Sequence, residues 1–150
     1  MVTQINIKTL YEQDFHRWLE ETANLLKTRQ LEQLDYENLI EEIESMGRSE
    51  KHALESNLTC ILMHLLKWRY QPSKRTNSWR YTLIEHRDHL EMAFRDSPSL
   101  KRYFDETLEK CYQKARKFAS EETGLEITTF PRDLPFTKEQ ILNPDYLPTE

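Results

Sequence analysis

Apolar residues recur every three or four positions along most of this chain, and a polar line runs through the longest of these stripes. From Ile43, alternating steps of four and three residues reach Gly47, Glu50, Leu54, Asn57, Ile61, His64 and Trp68. Those positions share one face of a helix expected from Asp35 to Tyr70, the face turned toward a partner helix. Glu50, Asn57 and His64 therefore stand where a stable helical core would rather hold Leu, and all three are expected to be buried. A buried polar group costs about 1–3 kcal/mol if left unpaired, so each needs a partner. Gly47 costs about 1 kcal/mol relative to Ala inside a helix. A continuous or gently bent helix is expected through it.

The same periodicity predicts four helices, at about 11–28, 35–70, 78–95 and 98–123. The first, starting at Tyr11 or Asp14, carries Phe15, Trp18, Leu19, Thr22, Leu25 and Leu26 on one stripe, and the second begins with Leu39, Ile40, Ile43 and Met46. Asp35 is suited to cap the second helix, and Pro72 ends it near Tyr70 by disfavouring a helical Gln71. Ser78 is expected to cap the third helix, and Ser97-Pro98 to start the fourth. Gly124 stops the fourth in a left-handed cap. Residues 125–150 read as an extended tail, with a capping box at Thr137 to Gln140 and one short turn ending near Leu142. Phe130, Phe136, Ile141, Tyr146 and Leu147 are too apolar for a free tail, so this segment is expected to wrap the core. The fold class is all-α, an antiparallel four-helix bundle in a single domain covering residues 1–150.

Composition agrees with that reading. Hydrophobic residues make up 37% of the 150 and charged residues 31%, with only two glycines, a mix that suits helices with one buried stripe. A net charge of −5 excludes a generic nucleic-acid binder. The N-terminus lacks a secretory pattern, and the longest apolar segment, Leu58 to Leu66, is half a membrane span and holds His64. Cys60 and Cys111 have no metal-like spacing and read as reduced thiols of a cytoplasmic protein with no membrane association. Oligomeric state is not set by the sequence; a homodimer is one way for so charged a chain to bury further stripe area.

Several segments together resemble a bacterial family, domain-of-unknown-function family twenty-nine. They are Leu39 to Glu50, His64 to Trp68 with Gln71-Pro72, Ser78-Trp79, Ser97 to Leu100, Glu122 to Leu125 and Phe130-Pro131. The resemblance covers most of the chain and implies a small helical bundle. It implies no activity, since it brings no catalytic residues with it.

Candidate chemistry must come from the residues themselves. His64 and His86 both fall on inward stripes, each roughly 9–12 Å of helical rise from the connecting loop. Two imidazoles with carboxylates from facing helices is how bundles hold a divalent metal, but a site needs three or four ligands. Glu50 is roughly 21 Å from His64 along the helix, and His89 is the remaining candidate for a third. Core histidines hydrogen-bonded to their neighbours are the plainer reading, and no cofactor is expected.

Between Lys67 and Arg80 lie five cations, Lys67, Arg69, Lys74, Arg75 and Arg80, with no acid, interleaved with Trp68, Tyr70 and Trp79. Such a hairpin tip suits phosphate contact and base stacking, or an acidic protein partner. The same cations also offset the negative end of the second helix. The leading expectation is a non-catalytic interaction module using this tip to bind an acidic protein or nucleic acid. The alternative is a metal-binding or ribonuclease-like enzyme centred on His64, His86 and Arg80, with histidine as acid–base group and arginine stabilising phosphate charge. Glu41, Glu42 and Glu44 read as a solvated first turn favoured by the helix dipole, and Arg48 or Glu50 is expected to pair near Gly47.

Overall fold

In a computed structural model of the chain, residues 6–149 are described. The described residues form six α-helices and three short 3-10 turns with no strand: the protein is all-α. The helices are α1 (Ile7–Gln13), α2 (Phe15–Lys27), α3 (Tyr36–Tyr70), α4 (Asn77–Asp96), α5 (Leu100–Thr123) and α6 (Lys138–Leu142). Two compact units divide between Ser49 and Glu50, and α3 contributes to each. The helix is unbroken at Gly47.

In the unit that ends at Ser49, the expected first helix begins at the later of its two candidate starts, as α2, and Asp14 divides it from a short α1 that the periodicity did not predict. Asp14 does this by serving both pieces: its backbone N–H donates to Leu10 O, closing α1, while its carboxylate accepts from Arg17 N at 3.1 Å, opening α2. The α2 exit, which carries no glycine, turns through Arg29 at φ 60°, a left-handed conformation unusual for a residue with a Cβ. Asp35 accepts from the backbone N–H of Asn38, from the Asn38 amide at 2.7 Å and from the Trp18 indole at 3.2 Å. It is fully buried, as is Trp18. The rings of Tyr11 and Phe15 lie 5.0 and 5.8 Å from Trp18, and Leu10 and Leu34 are further buried apolar residues of this unit.

In the unit that begins at Glu50, α3 is buried on nearly all sides, through Leu54, Leu58, Ile61, Leu62, Leu65 and Leu66. A helix apolar all round is a central one. Leu83 and Leu90 of α4 and Leu100, Phe104, Cys111, Tyr112 and Ala115 of α5 complete this core. Thr76, rather than Ser78, caps α4, accepting from Trp79 N at 3.2 Å. Ser97 does not start α5: its N–H donates to Ala93 O and closes α4, and α5 begins only at Leu100 after a turn at Pro98-Ser99. Gly124 at φ 76° ends α5 in the left-handed cap.

The last segment covers core as the sequence predicts, with Phe130, Phe136 and Ile141 buried. Residues Ile127–Thr129 form a 3-10 turn where extended chain was expected. The capping box at Thr137 and Gln140 is present, and α6 ends at Leu142. Both cysteines are free thiols.

Candidate interaction surfaces

The polar line of α3 is satisfied from within. Asn57, half-buried, donates through Nδ2 to Ala53 O at 2.9 Å, which turns its Oδ1 toward α4. There it accepts from His86 Nδ1 at 2.6 Å and His89 Nδ1 at 3.2 Å. His64 is buried, and its Nδ1 lies 2.9 Å from Cys60 O. A carbonyl only accepts, so this nitrogen carries the proton. Burial holds the pKa of both His64 and His86 below the ordinary 6.5, which keeps the rings neutral near pH 7.

Glu50 departs from expectation. It is exposed and its nearest polar partner is the Ser97 hydroxyl at 3.5 Å, while Arg48 pairs with Glu41 at 2.6 Å. Its position lies before the stretch of α3 that the chain covers.

His64 and His86 thus address different acceptors, and among the described residues no three His, Cys, Asp or Glu side chains gather as a metal would require. Arg80 is not brought to His86 either. Six residues separate them by roughly 120° around α4, and Arg80 lines a small cavity of about 140 Å³ with Arg87 and Asp145.

Much of the hairpin tip is folded inward. Lys67 is only 4% exposed, its ammonium 2.5 Å from Glu122 Oε1 and 4.5 Å from the centre of the Trp79 ring. The acid that neutralises it lies 55 residues along the chain, outside any local count of charge. Arg75 is half-buried over the Trp68 ring, and its Nε donates to Trp68 O at 2.8 Å, satisfying a carbonyl in the last turn of α3. Arg69 lies against Tyr70. Lys74 and Arg80 are exposed. Two of the five cations expected at a binding surface, Lys67 and Arg75, are therefore committed to the fold, and Trp68 is core.

The largest departure from the sequence reading lies on the first half of α3. The three-four line through Leu54, Ile61, His64 and Trp68 is buried. Followed back toward the N-terminus, the same line is open, with Ile43 at 55% exposure, Ile40 at 52% and Tyr36 at 52%. Met46 beside it is 61% exposed, and a Cβ added at Gly47 would meet nothing within 4 Å. On α2, Phe15, Leu19 and Leu26 are likewise exposed, against the expectation that their stripe is covered. Periodicity marks a face as apolar but does not say which surface covers it.

The family model described as Domain of unknown function DUF29 matches residues 10–147. The chain belongs to this family. No curated protein and no solved structure matches it. The resemblance read from its segments is thereby shown.

Residues that the sequence reading passed over bind this DUF29 chain together. Arg87, 4% exposed, donates to Ile141 O at 2.9 Å, Tyr146 O at 3.0 Å and Gln140 O at 3.1 Å. Burial lowers its pKa to about 10, still high enough to keep the charge. Its spacing gave a signal, four residues after Leu83 and three before Leu90, on a buried stripe. Glu55 accepts from the hydroxyl of Tyr103, from Thr107 and from Lys110 at 3.0 Å, and the Tyr103 bond foremost holds its pKa below the ordinary value. A groove of about 410 Å³ is lined by Leu54, Asn57, His89 and Met92 together with Glu50 and Asp96.

Proposed function

We propose that this protein is a non-catalytic interaction module, and that it makes contact chiefly through the open apolar line of α3 and its companions on α2. One observation carries the reading: a single helical seam is covered by the chain from Leu54 onward and bare from Tyr36 to Gly47. Exposed large apolar side chains gathered in one short segment mark contact surfaces. The histidines favour the same reading, since each is spent on an internal hydrogen bond. The thiol beside them, Cys60 Sγ at 3.6 Å from His64 Nδ1, meets a nitrogen that already donates to Cys60 O, and burial raises the thiol's pKa and holds it protonated. No cofactor enters it.

The hairpin tip supports a smaller role. Recognition of an acidic protein or nucleic acid there rests on exposed Lys74 and Arg80, with Arg69 at its edge. Mild cross-linking in the native cell separates the two surfaces. Ile40→Lys with Ile43→Lys should remove the cross-linked complex and leave the unfolding midpoint in place, whereas Lys74→Glu with Arg80→Glu should leave the complex intact. Loss through the tip pair alone overturns the assignment to α3.

A further inference from the structure

The open line of α3 carries features that point to one occupant. Its acids, Glu37, Glu41 and Glu44, lie toward the N-terminus, and its cations, Arg48 and Lys51, lie toward the C-terminus, with exposed Glu50 the one acid between those cations. Such a helix is complementary to itself only when reversed. With the axis near Glu44 and Ser45, Glu37 of one copy lies across from Lys51 of the other, and Ile43 across from Gly47. A parallel arrangement would instead set each acid against its own counterpart. Gly47 is open and has no side chain, which allows the two backbones a close approach.

The open area sets the strength of the pairing. Tyr36, Ile40, Ile43 and Met46 are between 52% and 61% exposed. They leave on the order of 400 Å² open per copy, about half of the roughly 800 Å² each partner contributes to a standard interface, which makes a pair formed here weak and concentration-dependent.

Resting on the interaction reading above, we infer that the partner is a second copy of this chain, and that two α3 helices pair antiparallel about Glu44 and Ser45. Glu44 then meets its own counterpart at the axis, and Glu50 lies across from Ile40 of the other copy; these are the two unfavourable contacts of the pairing. Lys51, whose ammonium lies over the Tyr103 ring at 5.0 Å, is the cation that Glu37 of the other copy meets.

Sedimentation of the full chain across the micromolar range, with spin labels in a Cys60→Ser background, tests this. The wild type should sediment as a dimer and Ile43→Glu as a folded monomer with an unchanged melting temperature. Glu44→Gln should tighten the dimer by about twofold, as removal of one exposed like-charge contact does. Labels at Glu44 should lie close across the dimer, and labels at Glu37 should lie farther apart by roughly 10 Å or more, because antiparallel helices separate residues away from the axis. A wild type that stays monomeric overturns self-pairing while leaving the interaction reading to its own cross-linking test. A dimer that survives Ile43→Glu, or equal separations at both label positions, overturns the interface or its direction. An Ile43→Glu chain that unfolds shows that the face belongs to the fold, and both readings fall together.

Discussion

Replacing Arg87 with Met keeps most of the buried stem and removes the guanidinium that holds three carbonyls of the C-terminal segment. A hydrogen bond from a charged donor contributes about 1.5–3 kcal/mol, and a buried carbonyl left without a donor costs about 1–3 kcal/mol. The three contacts do not count equally. Ile141 is fully buried, but Gln140 and Tyr146 are half-exposed, so water can replace the donor at two of the carbonyls. Burial of the guanidinium also works against the clamp, as its lowered pKa of about 10 records. The net loss is then about 2–4 kcal/mol. For a chain of this size that lowers the melting temperature by roughly 6–12 °C, taking 2–4 °C per kcal/mol and the middle of the range. Differential scanning calorimetry measures it, and hydrogen exchange should place the loosening at residues 138–147. Arg87→Lys should recover part of the loss, since an ammonium reaches fewer of the carbonyls. A melting temperature for Arg87→Met within about 2 °C of wild type, with unchanged exchange, would refute the clamp.

Three further outcomes follow from the same contacts. Glu122→Gln leaves the Lys67 ammonium buried beside a neutral partner and should destabilise by about 1–2 kcal/mol in urea unfolding, the half-exposed carboxylate limiting the effect. Lys74→Glu should change stability by less than about 0.5 kcal/mol, whereas Arg75→Glu should lower it measurably, because it removes the donor to Trp68 O. Stability should fall on acidification below about pH 6.5: His64 and His86 have folded-state pKa values depressed below the ordinary 6.5, so the unfolded chain binds more protons there. His64→Gln should flatten that slope between pH 7 and 5.5, and an unaltered slope would remove His64 from the account.

Much of the fold was legible because it depends on local chemistry. The end of α3 follows from Pro72, the capping box from Thr137 and Gln140, and the cover over the core from Phe130, Phe136 and Ile141. The start of α2 at Asp14 was one of two legible candidates, but the short α1 before it was not read, since its seven residues are too few to show a period. Lys67 read as a cation of the binding tip because its partner Glu122 lies 55 residues away. Arg87 was passed over despite its place on a buried stripe, because the carbonyls of residues 140–146 that it holds leave no mark in the local sequence. Asn57 and His86 were recognisable as inward polar groups, and their mutual hydrogen bond is the answer to the burial cost that singled them out. Glu50 and Ile43 show the limit most plainly. They lie on the same seam as Leu54, and only the three-dimensional cover distinguishes them.

Hydrogen–deuterium exchange along α3 at low and high protein concentration tests the central claim most directly. The bare seam predicts that amides of residues 36–50 become more protected as concentration rises, while those of residues 54–68 keep the same rates. Exchange over residues 36–50 that is independent of concentration would contradict a seam completed by a second copy.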